Sequence, residues 1–532
     1  MINQSFDYIV VGAGSAGCAL AARLSENPDR SVLLLEAGGW DYNPLIHVPI
    51  GWGMLIRLGM HNWNYMSQPI ASLGGRQLDC PRGKVMGGTS SINTMAYVRG
   101  NRADFDRMAA AGLEGWGYED VLPYFRKQED WEGGASKYRG SGGPISTMTS
   151  DYTDPMIDAY AQATRDAGHG WTDDYNGEKQ EGFGRMQLTL RKGRRNSTSK
   201  GYIRPALKRK NLTVLTGALT HRVRVEKGRA VGVEYERGGK QYFAAARSEV
   251  IVSAGAFNSP QLLMLSGIGD PEALRKLGIE CKVALPGVGQ NLHDHYGTSI
   301  IYKRKKPGPF HANMRADKAA LGFTRAYLTG EGFASKLPGG ITAFIKSTPD
   351  QEIPDLQLLF VGAPMDAHPH FSPFVKPYQD RFMTRVVMCR PEGRGSVTLR
   401  SASAKDAPVI DEAVLTTDSD IRRMREGIKL FREVGRQSAL AEHAEEMGPG
   451  AAAKTDADIE AYARSIVSLS YHPSGTCRMG VEGDPRAVVD NQCRVFGVDG
   501  LRVVDASIFP DPIGGNINAP IIMAAEKVAA SL

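Results

Sequence analysis

Tyr8-Ile9-Val10-Val11-Gly12-Ala13-Gly14-Ser15-Ala16-Gly17 is the stretch that decides the fold. Its first four residues form a short β-rich run of the kind buried inside a parallel sheet. Gly12-x-Gly14-x-x-Gly17 follows, and then Leu20, Ala21 and Leu24 recur on one helical face. Val32-Leu33-Leu34-Leu35 makes a second strand that ends on Glu36. The spacing predicts strand, glycine turn, helix, strand. In such a unit Gly12 permits the tight turn, Gly14 lets the backbone approach a pyrophosphate, and Gly17 allows close helix–strand packing. The free N–H groups and the dipole at the helix start, at Ser15 and Ala16, favour phosphate charge. Glu36, followed by Ala37, is placed to accept from a ribose hydroxyl. A glycine run alone would be an ordinary turn. With these flanks it reads as a dinucleotide site, and it does not by itself choose between NAD and FAD.

Beyond this unit, residues 37 to about 100 are rich in Gly, Pro and aromatics with little periodicity, as expected of a cofactor-covering segment. Strand–turn–helix order returns at Val250-Ile251-Val252, Gly255 and a helix, with Ser259 expected as its N-cap, Pro260 in its first turn and Gly267 as its stop. Residues 296 to 460 differ in character. Asp355-Leu356-Gln357-Leu358 alternates, and a hairpin is predicted from Arg385–Met388 through Pro391-Glu392-Gly393 to Val397–Leu399. An amphipathic helix is predicted over 419–434, with Ile421, Met424, Ile428, Leu430 and Phe431 on its apolar side. A last helix is expected to start with Asn518 as N-cap and Pro520 in its first turn. Two domains result. Residues 1–150, 195–295 and 462–532 form a discontinuous cofactor-binding unit, and residues 151–194 and 296–461 form a substrate-binding unit.

The 532 residues exceed one simple core, and 42% hydrophobic and 23% charged residues are ordinary for a globular protein. A net charge of +6 is a weak bias that predicts no nucleic-acid partner. The basic runs Arg191-Lys192-Gly193-Arg194-Arg195 and Lys303-Arg304-Lys305-Lys306 read as solvated loop charge. Six scattered cysteines, with no metal-ligand spacing, read as reduced thiols in a cytoplasmic protein without a metal site. Neither an apolar run of transmembrane length nor a cleavable leader is visible, so membrane association is not indicated.

Four further segments select the flavin. Arg82-Gly83-Lys84-Val85-Met86-Gly87-Gly88-Thr89-Ser90-Ser91-Ile92-Asn93 resembles the first signature of the glucose–methanol–choline (GMC) oxidoreductase family, and Gly255 to Gly269 resembles the second. Pro286 to His295 is similar to the family's next block. Tyr471 to Gly480, with Asp505 to Glu526, is similar to its C-terminal catalytic region. The order is the family's own, and the likeness leans toward its bacterial choline dehydrogenase-like and L-sorbose dehydrogenase-like branches. The resemblance implies an α/β fold: a Rossmann-like FAD-binding domain with a second, mixed-sheet α+β substrate domain. It implies that Arg82, Met86, Gly87, Gly88, Asn93, Thr94, Met95 and Ala96 lie along the cofactor, that the Val223 backbone meets the adenine, and that Ala254, Gly255, Asp505, Ala506 and Asn518 also touch it. Some family members attach FAD through a histidine just before the signature asparagine. Ile92 stands there in this chain, so non-covalent FAD is expected.

The resemblance further makes His472 the base that takes the alcohol proton while a hydride moves to flavin N5, with Asn516 as partner on the alcohol oxygen. Histidine suits the task because its pKa lies near working pH; asparagine holds a hydrogen bond and does not titrate. Taken alone, His472-Pro473 is one histidine in a polar loop and Asn516 a turn residue. The helix start after Asn516 is expected to stabilise negative charge on a reduced flavin. The expected activity is oxidation of a polyol- or sugar-type alcohol, with electrons passed to a quinone or another non-oxygen acceptor. The alternatives are an oxidase that makes peroxide, a lyase or decarboxylase on the same fold, an NAD enzyme, and a non-catalytic binder.

Overall fold

The computed structural model describes residues 3–532. Strand β1 (Asn3–Val11), helix α1 (Ser15–Leu24) and strand β2 (Val32–Glu36) form as the glycine motif requires. Ile9, Val10, Leu33 and Leu34 are fully buried, each contributing about 1.5–3 kcal/mol relative to exposure. Gly12 has φ +98°, and a Cβ there would lie 2.5 Å from the Ser253 carbonyl oxygen. A Cβ on Gly17 would lie 1.8 Å from the Gly12 carbonyl oxygen, so any side chain would push α1 off the turn.

Two seven-stranded sheets organise the chain. The first adds β4 (Leu212–Thr216), β5 (Ala218–Glu226), β6 (Arg229–Arg237) and β7 (Lys240–Val252), in the order β4-β2-β1-β7-β6-β5. A late strand, Leu501–Val503, also pairs with β7. Pairs from β4 to β7 are parallel, whereas β5, β6 and the first half of β7 form an antiparallel meander. The second sheet runs Ala444–Glu446, β8 (Tyr296–Arg304), β11 (Arg381–Met388), β10 (Leu356–Val361), β9 (Gly339–Ile345) and β3 (Gly182–Arg185). Ser468–Leu469 also pairs with β8. Every pairing in this sheet is antiparallel, where the sequence reading expects a mixed sheet. Parallel and antiparallel pairs meet in the first sheet instead.

Helix α2 (Gly255–Leu265) starts four residues before the cap expected at Ser259. The first-turn N–H of Gly255 is satisfied by Asp505 Oδ2 at 2.8 Å, and Ser259, inside the helix, donates to the same oxygen at 2.5 Å. The cap is supplied from 250 residues away, which no local reading can find. Gly267 does end the helix, at φ +85°. Helix α3 (Asp418–Arg436) carries the expected apolar side, with Met424, Ile428 and Phe431 buried. The predicted hairpin is absent. Both edges of β11 are taken by β8 and β10, and Ser396–Thr398 pairs with Val409–Asp411. Helix α4 (Asn518–Ala530) begins on Asn518, with Ile517 in the capping position. Asn518 turns its Oδ1 to accept from Ser15 Oγ at 2.6 Å and so joins the starts of α1 and α4.

Candidate active site

A cavity of about 500 Å³ lies where strand ends of the first sheet meet one face of the second. The opening motif builds one side of the cavity. Gly12, Gly14, Ser15, Ala16, Glu36 and Ala37 line the cavity, together with Arg82, Gly88, Asn93, Thr94, Ala96, Ala254, Gly255, Asp505, Ala506 and Asn518. Gly17, Met86, Gly87, Met95 and Val223 do not. Gly17 packs against the turn, Met86 and Met95 are fully buried, and Gly87 donates its N–H to the Ala13 carbonyl at 2.8 Å. The Val223 N–H is taken by Ser266 Oγ at 2.8 Å. Thr220, three residues earlier, faces the cavity. The segment's contact is therefore shifted by one and a half pleats from the position expected.

Several features on this side fit a bound dinucleotide. No side chain caps the start of α1, which leaves N–H groups beside the cavity. Ser253 Oγ and Thr220 Oγ1 line it too, and both are buried without a hydrogen-bond partner. Glu36 accepts from the Ala13 and Gly38 N–H groups at 2.9 and 2.8 Å. Burial nonetheless pushes its carboxyl up to about 7, and hydroxyl donors at this carboxylate would lower it again. Arg195, which the sequence reading set aside as loop charge, supports the signature loop. It is buried and donates to Asn93 Oδ1 at 2.7 Å and to the Ser90 carbonyl at 3.2 Å, fixing the signature loop.

The reacting side holds His472 and Asn516 together: Asn516 Nδ2 lies 3.0 Å from His472 Nε2. Gln357 Nε2, on β10, donates to Asn516 Oδ1 at 3.2 Å. With the amide in this orientation its NH₂ faces the imidazole and Nε2 accepts. The proton of a neutral His472 is then on Nδ1, where it meets His295 Nδ1 at 3.0 Å. Burial, His295, Arg82 and Arg385 all hold the His472 pKa well below its ordinary value. His295, also buried, is lowered to about 4 by burial. The backbone of His472 is anchored by its N–H to Asp294 Oδ1 at 2.7 Å. Gln357, His295 and Arg385 were beyond sequence reasoning. The first and third sit in a β-alternation that marks a sheet face without naming what that face covers.

His47 and His61 bond to Asp41 and Asn43, away from the cavity, and His368 and His370 pack around Tyr378. All six cysteines are free, and five are buried. Among the described residues there is no metal-binding cluster, and no helix is long and apolar enough to cross a membrane.

Residues 6–297 and 391–525 match the N- and C-terminal models of GMC oxidoreductases. The chain belongs to the GMC oxidoreductase family, and FAD is its cofactor. It is 44% identical to the mitochondrial choline dehydrogenase of Homo sapiens, over 99% of this chain and 89% of that one. It is 42% identical to an oxygen-dependent choline dehydrogenase of Rhizobium etli (strain CIAT 652), covering 98% and 94%. Among solved structures, pyridoxine 4-oxidase from Mesorbium loti superimposes with a TM-score of 0.87 at 30% identity, covering 99% of each chain. These similarities point to choline dehydrogenases in place of the L-sorbose branch.

Proposed function

We propose that this chain oxidises an alcohol to a carbonyl compound, with His472 as base and Asn516 as the second ligand of the alcohol oxygen. The observation that carries this reading is the Gln357–Asn516–His472–His295 chain, which orients a neutral imidazole with Nε2 as its accepting nitrogen beside the Asn516 amide. When bound, FAD supplies the acceptor for the hydride that leaves the carbinol carbon. His472 Nε2 takes the hydroxyl proton, Asn516 Nδ2 donates to the oxygen, and Nδ1–H lets charge spread to His295. The low His472 pKa keeps the base unprotonated at neutral pH. On this reading, Glu36 and the start of α1 hold the adenosine and pyrophosphate, and the cofactor stays non-covalent because Ile92 offers no nucleophile. The start of α4, beside Asn516, favours negative charge on the ring.

Ser299, Gln357 and Ser468 give the reacting side hydrogen-bonding groups suited to polyol or sugar hydroxyls. A quinone or similar acceptor is our reading for reoxidation. The second reading, reoxidation by O₂, is favoured by the names of the relatives, one an oxygen-dependent dehydrogenase and one an oxidase. Anaerobic alcohol panels should bleach the flavin absorbance of the purified protein, and His472→Gln should slow bleaching by about 10²–10⁴-fold without loss of flavin. Bleaching that survives His472→Gln at full rate refutes the assignment. Peroxide formed stoichiometrically under air decides for the second reading.

A further inference from the structure

The cavity's charge is uneven. Its two lining carboxylates, Glu36 and Asp505, stand at strand ends of the first sheet, and both already accept hydrogen bonds from protein groups. The wall near His472 carries two guanidiniums instead, Arg82 and Arg385. Arg385 lies on β11, in register with Ser299 on β8 and Leu359 on β10, and all three line the cavity. Its two terminal nitrogens donate to Ser468 Oγ at 2.9 Å and to the Ser468 and Leu469 carbonyls at 2.9 and 3.1 Å. Arg82 donates to the Pro81 and Tyr471 carbonyls at 2.5 and 2.6 Å. All of these acceptors are neutral. Arg82 also feels the charge of Glu412 and Arg385 that of Asp79, neither of which lines the cavity, and the carboxyl whose charge both arginines feel is Asp294. It lies off the lining, spends an oxygen on the His472 N–H, and is itself raised to about 7 by burial.

A buried guanidinium whose hydrogen-bond partners are all neutral has no direct counter-charge, and a carboxylate is its best remaining partner. The two guanidiniums disfavour a quaternary ammonium beside them, although Trp52, Trp63, Phe360 and Tyr471 offer aromatic faces elsewhere in the lining. We infer that the alcohol oxidised by this chain carries an anionic group, a carboxylate or a group of like shape, and that Arg385 is the residue that selects it. The inference rests on the alcohol-oxidation reading above, and it separates this chain from the choline specificity in its relatives' names. Polyhydroxylated acids meet both the anion requirement and the hydrogen-bonding wall.

The test uses the flavin-loaded enzyme with ω-hydroxycarboxylates of three to six carbons, n-alkanols of matched length, and choline beside its neutral isostere 3,3-dimethylbutan-1-ol. The expected result is that the best hydroxycarboxylate exceeds its matched alkanol in kcat/KM by about 10- to 100-fold, and that choline falls below its isostere. Arg385→Gln should erase the carboxylate advantage, Arg385→Lys should restore part of it, and Arg385→Glu should invert it. A second measurement needs no variant and no turnover: simple carboxylates should perturb the flavin spectrum of the unmodified enzyme on binding, and the matched amides should not. Choline outranking every hydroxycarboxylate overturns the inference, as does an anion preference that survives in a folded Arg385→Glu protein. If no alcohol bleaches the flavin while carboxylates still bind through Arg385, the anion site stands and the oxidation reading falls. If carboxylates neither bind nor react, the anion site falls, whatever other alcohols do.

Discussion

If Glu36 accepts from the ribose as proposed, one buried carboxylate ties cofactor binding to pH. Its folded-state pKa of about 7 lies above the usual carboxylate value because burial outweighs the two backbone N–H donors. Without ligand, the folded chain therefore binds a proton that the unfolded chain releases between roughly pH 4.5 and 7. This group's contribution to stability is full below that window and is lost as pH rises through about 7. Ribose hydroxyls donating to the carboxylate reverse the preference, since they favour the charged form. FAD affinity should accordingly fall as pH drops below about 7, and Glu36→Gln should flatten that dependence while weakening binding at pH 8. Quenching of flavin fluorescence across pH measures both. A pH-independent dissociation constant in the unmodified protein would dismiss the ribose role. This residue was legible from sequence because its distance from the glycines is fixed by one helix and one strand. Arg195 was not: its neighbours Arg191 and Lys192 are exposed, and only the fold turns Arg195 inward.

At the scale of elements, local periodicity found the strands and helices and missed what joins them. The starts of α2 and α4 were placed by their polar residues, yet Ser259 and Asn518 bond to Asp505 and Ser15, far away in sequence. The hairpin failed for the same reason: alternation marks β11 as a strand, but its partners were settled by competition with β8 and β10. Helix α4 illustrates how such joins hold the site. Glu526, fully buried, accepts from Arg23 Nε and Nη2 of α1 at 2.8 Å, from the Tyr202 hydroxyl at 2.7 Å and from Lys127 Nζ at 3.2 Å. It thereby clamps the helix that carries Asn518 to the helix that opens the nucleotide site. Glu526→Gln should cost about 1–3 kcal/mol, because Tyr202 and Arg23 lose a charged acceptor. The midpoint of urea unfolding would show it, along with weaker FAD retention. Unchanged retention in a clearly destabilised variant would mean that α4 serves the core alone.

Across the whole molecule, the cavity is a seam. Val11, Glu36 and Ser253 come to it from the first sheet, and Gln357, Leu359, Met383 and Arg385 from the second. The division into cofactor and substrate units was read from a change in sequence pattern. The seam itself could not be, because its two walls are assembled from residues hundreds of positions apart. A ligand that fills the seam binds the folded state and has no equivalent site on the unfolded chain, so it stabilises by mass action, about 2.7 kcal/mol at a hundredfold excess over its dissociation constant. The holoprotein should therefore unfold with release of its flavin, the fluorescence rise coinciding with loss of far-ultraviolet ellipticity. Flavin-free protein should melt lower, and added FAD should restore the midpoint in proportion to the logarithm of its concentration. Flavin emerging well below the unfolding transition would show that the two sheets hold together without it, and that the seam is a receptacle rather than a joint.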